Sequence, residues 1–491
     1  MSRRRSHPDP YKLDPAKVEE PPSTLRGSLR HIGPGFILSA SIVGSGELVA
    51  TTTLGAKAGF IALWVILVSC LVKVAVQVEF GKRAIMTGKP TFAALNELPG
   101  PKLGRANWTI WTWLFLMLFK FLQVGGIIGM VAILLNMAIP ALTMEVWLVV
   151  TVLVVGIVVS GGYYRLIERL SVVMIGLFTI FTLISLVALQ FGPEAISFAD
   201  VFSGLTFTLP SENAMLLLVI GAFGITGVGG DEIMAYNYWL IEKGYAAKTG
   251  EPDGSDEWAQ RARGWTKVML VDAVAAMIVY TVVTAAFYVL GAGLLHGRGE
   301  VPEGGGAFLD YLATMYTTTL GDWAGPLFYC GAFVVLFSTT FAALAAWTRQ
   351  FADAFGQIGL FDFSNQRRRR RWIIGLAWGI PIIWAVVFKA VANPVFMVFA
   401  GGFVTSIILL VVLWAAIYFR RHGADPRLDL GKWFTLWFWA SAVLIVLVGL
   451  WTAAKPFLPK LMPEPKKAVS LYEPIPSSDP DPVRFAPRAP G

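Results

Sequence analysis

The sequence predicts an all-helical integral membrane protein of about 11 spans, built as two five-span halves of opposite topology plus one appended span. Three observations carry this. Only 15% of the 491 residues are charged, against about 25% in a soluble chain. The apolar residues fall in blocks of roughly 20 or more, enough to cross a hydrocarbon core of about 30 Å. Two of those blocks, five spans apart, are interrupted in the same way by glycines followed by acids.

The spans fall at roughly 34–55, 60–80, 107–137, 145–160, 166–190, 214–240, 267–293, 324–347, 372–390, 394–418 and 433–454. With the N-terminus placed in the cytoplasm, the inside loops and N-terminal segment hold 29 Lys and Arg, and the outside loops hold 3, Lys57, Arg298 and Lys389. Short loops rich in Lys and Arg stay inside, so the reading is a multi-pass protein of the cell membrane. Its N-terminus is cytoplasmic and, with an odd number of spans, its C-terminus is outside. The run Arg367–Arg371 directly precedes a span and reads as a topology anchor facing anionic lipid rather than a nucleic-acid patch. Residues 1–32 and 456–491 are polar and rich in proline, and are expected to be a disordered cytoplasmic segment and a Pro-rich tail. Between them lies one transporter domain, 33–455, with halves at about 33–190 and 214–418 and an extra span at 433–454.

The first span contains "GSGE" at 44–47 and the sixth contains "GITGVGGDEIM" at 224–234. Glycines let a helix unwind and expose backbone carbonyls, which in a membrane need a partner. Paired interruptions in corresponding spans point to the central site of an inverted-repeat transporter. The bland reading of the glycines is close helix packing. The acids Glu47, Asp231 and Glu232 shift the balance, because an intramembrane carboxylate is costly unless it serves a ligand or an ion pair. The candidate substrate-binding residues are Gly44, Ser45, Gly46, Glu47, Gly229, Gly230, Asp231 and Glu232, with Glu47, Asp231 and Glu232 as metal ligands. An oxygen-only set suits a hard divalent cation such as magnesium, manganese or calcium.

Lys73 and Lys120 also fall inside spans and are available as salt-bridge partners for these acids. Nothing points to catalysis. HExxH, GxSxG and Walker motifs are absent, and His7, His31, His296 and His422 all lie outside the spans. Cys70 and Cys330 lie in apolar blocks without metal spacing and read as small buried hydrophobes. No enzyme activity, cofactor or nucleic-acid partner is expected; the partners are the divalent ion as substrate and membrane lipid, and the chain is expected to be a monomer. A small organic amine or amino acid, its ammonium held by the acids, stands as the alternative substrate.

Several segments carry a family resemblance. "GPGFILSASIVGSGELVATTTLGAKAG" (33–59), "FGKRAIMTGKPTFAALN" (80–96), "RLSVVMIGLFTIFTLISLVAL" (169–189), "DAVAAMIVYTVVTAAFYVLGAG" (272–293) and "FSTTFAALAAWTRQFADAFG" (337–356) resemble the Nramp family of proton-coupled divalent-metal transporters over about residues 30–455. The resemblance implies a LeuT-type 5+5 inverted repeat with spans 1 and 6 unwound. The departures fall at the site. Where the family's first span has Asp-Pro-Gly-Asn, this chain has Gly44, Ser45, Gly46 and Glu47. Where its sixth has Met-Pro-His, this chain has Gly230, Asp231 and Glu232. Where its third has Asp-x-x-Glu on the proton route, this chain reads "KFLQ", with Lys120 and Gln123. The chain thus resembles a divergent branch, as the Nramp-related magnesium transporters are. Lys120 and Gln123 are coupling or ion-pair candidates, and transport uncoupled from protons along that route is expected.

Overall fold

The computed structural model describes residues 9–454 apart from 162, 163, 211, 303 and 424. Among the described residues the only sheet is a two-stranded hairpin, Lys102–Leu103 with Ala106–Asn107. Everything else that is regular is helical, as apolar blocks without strand alternation require in lipid.

The main helices are α1 (Pro34–Ile42), α2 (Thr52–Ala58), α3 (Leu63–Thr87), α4 (Trp108–Ala138), α5 (Met144–Gly161), α6 (Tyr164–Leu189), α7 (Asn213–Ile225), α8 (Gly230–Glu242), α9 (Asp256–Leu290), α10 (Gly305–Leu320), α11 (Ala324–Gln357), α12 (Gln366–Val391), α13 (Pro394–His422) and α14 (Lys432–Ala454). Helix lies over each of the eleven expected segments. Among the described residues, however, nine stretches are long and apolar enough to cross a membrane, so length and hydropathy do not by themselves establish a count of eleven. Two expected spans are missing from the nine: the fifth, where the apolar helix found is the shorter Val173–Leu189, and the first, because it is broken. Its second half runs on with α3 as the single stretch Gly46–Thr87. Helix α10 falls between two expected spans and was not foreseen.

Local chemistry fixes the helix starts. Asn107 accepts a hydrogen bond from the Thr109 N–H at 3.1 Å to begin α4, and Asn393 accepts from Phe396 N–H at 3.1 Å with Pro394 at the first position of α13. Helices α7 and α13 approach so closely that a Cβ at Gly224 would lie 1.9 Å from the Gly402 carbonyl oxygen, and one at Gly402 would lie 2.3 Å from that of Gly221. Small residues at crossing points permit this in membrane helices. The elements that position the site all belong to one unit ending at Gly449; residues from Leu450 form a second.

Residues 9–32 correct the expectation of disorder. They form a strap, with short helical turns at Pro15–Lys17 and Leu25–Leu29, fastened at several points. The Tyr11 hydroxyl donates to Glu242 at 2.8 Å, and Arg349 holds the same carboxylate with two bonds of 2.7 and 3.0 Å. Asp9 pairs with Arg369 at 2.6 Å, Glu19 with Lys248 at 2.9 Å, and Trp265 donates to the Glu19 carbonyl at 2.9 Å. Composition reports how much apolar surface a segment can bury, and misses a polar segment that is held by charge pairs. The tail expected at 456–491 lies outside the described residues.

Candidate functional site

Both interruptions are real breaks. Helix α1 ends at Ile42, and after Val43–Ser45 the chain enters a wide π turn, Gly46–Thr51, before α2. Such turns concentrate at functional sites. Helix α7 ends at Ile225. Thr226 is extended, Gly227 takes a φ of +68°, Gly229 is extended, and α8 begins at Gly230. A Cβ at Gly227 would also stand 3.1 Å from the Cα of Cys70 on α3, so the turn needs glycine for conformation and for room.

Two other glycines of the motifs serve packing. A Cβ at Gly46 would meet Ile225 at 2.8 Å, and one at Gly230 would meet the Leu409 backbone at 2.7 Å. The carbonyls of Gly44 and Gly229 are engaged as well, accepting from Leu48 N–H at 3.1 Å and from Ile233 N–H at 2.9 Å.

Each acid has its own partners. Glu47 is fully buried; one carboxylate oxygen accepts from the Gly44 N–H at 3.1 Å and the other from the Thr284 hydroxyl of α9 at 3.0 Å. Glu232 reaches back to the Gly229 N–H at 2.6 Å, satisfying one of the donors that the start of α8 leaves open. Asp231 lies 3.0 Å from the Lys120 ammonium, close enough for an ion pair though off the line of a hydrogen bond. Lys120 also touches the Thr405 hydroxyl of α13, and Gln350 of α11 donates to the Asp231 carbonyl at 2.6 Å. Both acids of α8 sit in its first turn, where the positive end of the helix dipole favours a carboxylate.

Asp231, Glu232, Lys120 and Gln123 line a cavity of about 40 Å³ together with Thr339 and Trp347. Gln123 Oε1 is buried there without a hydrogen-bond partner. The three carboxylates are not gathered into one shell: among the described residues no group of three or more His, Cys, Asp or Glu is placed to hold a metal ion. Capping, ion pairing and the Thr284 contact hold them apart.

The structure thus brings Asp231, Glu232, Lys120 and Gln123 to one cavity, places Glu47 at the facing break, and leaves Ser45 buried beside it. Thr284, Thr405 and Gln350 escaped the sequence reading. The signal was slight, single polar residues in apolar helices, and only tertiary structure says which of many such residues meet. Met234 is buried, with its carbonyl accepting from Thr91, and is not among the cavity's lining residues.

Residues 35–455 match the Nramp family, described as natural resistance-associated macrophage protein-like. The chain belongs to the Nramp family. Similar proteins include the divalent metal cation transporter MntH 1 of Pseudomonas aeruginosa, 25% identical over 88% of this chain and 91% of that one. An uncharacterized protein of Pasteurella multocida is 26% identical over 69% of this chain and 73% of its own length. Among solved structures, a mutant of the Eremococcus coleocola manganese transporter superposes with a TM-score of 0.65 at 15% identity, covering 92% of each chain. Mhp1, a nucleobase-cation-symport-1 family transporter in a closed conformation, gives 0.52 at 16% identity over 93% of this Nramp chain and 98% of its own. At such identities these structures speak for the fold alone. The LeuT-type helical architecture expected from the sequence is borne out.

Proposed function

We propose that this Nramp-family protein is a secondary transporter or facilitator that carries a divalent metal cation, magnesium or manganese, across the cell membrane by alternating access. The observation that carries the reading is the pair of acids in the first turn of α8, Asp231 and Glu232, lining a small cavity with the unpartnered oxygen of Gln123. The names of the MntH relatives support it. In the binding step the cation takes Asp231 from Lys120 and Glu232 from the Gly229 N–H, and Glu47 turns in from the facing break. Those bonds are short-range and exchangeable, so the shell is assembled by the ion rather than waiting for it. An organic amine or amino acid fits less well, since about 40 Å³ is room for roughly three waters.

In the proposed topology the basic loops and the strap face the cytoplasm and the segment after α14 lies outside. A reporter fused at Pro459 that is active only in the cytoplasm would overturn that arrangement. Uptake of manganese, magnesium and calcium into proteoliposomes tests the function directly. We expect saturable divalent flux in the wild type that Glu232→Gln reduces at least tenfold. Flux of none of the three ions, with the protein folded and inserted, refutes the reading.

A further inference from the structure

Besides the acids and Lys120, a further buried charge lies at the α7 break. Lys73 on α3 is fully buried, and its ammonium makes no contact with a carboxylate in the site. Instead it donates to three backbone carbonyls at the broken end of α7, those of Phe223, Gly224 (3.1 Å) and Thr226 (2.9 Å). Ser69, one turn earlier on the same face of α3, donates to the Phe223 and Thr226 carbonyls at 2.9 and 3.0 Å. The Phe223 ring lies 4.9 Å from the ammonium.

Three chemical features define this cradle. A helix end presents carbonyls with no partner of their own and the negative end of the dipole, so it attracts a cation. Three acceptors around one nitrogen require three donors, which a lysine has only as the ammonium. And a shell of backbone carbonyls is the coordination that dehydrated monovalent cations use. The break creates the cradle, and α3 fills it from the side with a charge the chain carries itself.

We propose that the Lys73 ammonium is a tethered cation that occupies a monovalent-cation site at the α7 break, so that no free monovalent cation is needed there. Lys73 is a positioning residue. It fixes the three carbonyls that set where the Thr226–Gly229 turn leaves α7, and hence where Asp231 and Glu232 stand. As far as it concerns the transport cycle, the inference rests on the function proposed above. The cradle itself does not, and the test separates the two.

The full-length protein and its Lys73→Met variant are purified in detergent and melted at constant ionic strength in choline, sodium, potassium or ammonium chloride. Choline is too large for the cradle. The wild type is expected to melt at the same temperature in all four. The variant is expected to gain about 1–3 °C in ammonium or sodium over choline, the shift for a small cation present at ten to a hundred times its dissociation constant. Its divalent uptake should fall in choline and recover with ammonium. A Lys73→Met variant indifferent to the four salts, or a wild type stabilised specifically by sodium or potassium, overturns the proposal. If Lys73→Met is recovered from membranes only when ammonium is present, the proposal is supported. If it is recovered in none, Lys73→Gln, which keeps amide donors without charge, is melted instead, and its indifference to the cation overturns the proposal. Should the melting pattern hold while no divalent ion is carried, the transport reading fails and the tethered cation stands.

Discussion

Lysine 120 offers the sharpest test of how the site is balanced. Its side chain and that of Asp231 are only 5% and 7% exposed and stand 3.0 Å apart. At an effective dielectric of about 20 the gross attraction is about 5 kcal/mol, and desolvating both groups consumes much of it. Removing one partner is a different matter, because the other charge stays buried alone, at a cost of about 3–5 kcal/mol. Lys120→Met should therefore destabilise the protein by about that amount, and Asp231→Asn by a similar amount. The double variant Lys120→Met/Asp231→Asn should recover at least about 2 kcal/mol of the summed losses. Lys120→Met also leaves Asp231 as a bare carboxylate on the cavity beside Glu232. Manganese should then stabilise that variant more than it stabilises the wild type, and should have little effect on the double variant. The assay is thermal unfolding of purified protein with and without manganese. A Lys120→Met variant within about 1 kcal/mol of wild type, with an unchanged response to manganese, would refute the account of the pair.

Glu47→Gln keeps an oxygen for the Gly44 N–H and gains an amide that can donate to Thr284, so it should fold normally yet bind manganese at least about tenfold more weakly by titration calorimetry, a loss of about 1.4 kcal/mol or more; unchanged affinity removes Glu47 from the site. Because the cavity lining holds no sulfur among the described residues, cadmium should not outcompete manganese at equal concentration in an uptake competition. Transport should proceed without stoichiometric proton entry, since Lys120 and Gln123 stand where the family's proton route has carboxylates and Gln123 does not titrate; acidification of the vesicle lumen in proportion to metal flux would contradict this. Asp272→Ala removes the carboxylate that accepts from Gly33 N–H at 3.0 Å, Gly35 N–H at 2.5 Å and the Tyr236 hydroxyl at 3.1 Å. It should cost about 2–4 kcal/mol and speed amide exchange at the start of α1.

The breaks were legible because glycine and carboxylate are so out of place in an apolar block that position alone marks them. Lys120 was legible as an ion-pair candidate for the same reason, with Glu47 and Asp231 both open as partners; only the fold selects Asp231. The expected three-carboxylate shell was not legible in the form the structure gives, because sequence reports which acids are near a break and not which N–H, hydroxyl or ammonium each one meets first. Lys73 was harder still. Its partners are backbone carbonyls, and no side-chain pattern announces a carbonyl. The strap was misread because its order comes from pairs such as Asp9 with Arg369 and Glu19 with Lys248, separated by hundreds of residues. Such pairs leave no trace in local composition.

That separation has a consequence for assembly. The strap leaves the ribosome well ahead of its fastenings, which lie at residues 242, 248, 265 and 369. Tyr11 and Glu19 must wait for residues 242–265, and the last fastening, Asp9 with Arg369, can close only when the start of α12 has been made. Docking of residues 9–20 is thus a completion signal. In a nascent chain arrested before residue 242, a protease should cut the strap freely, and full protection should appear only once the start of α12 has joined the bundle.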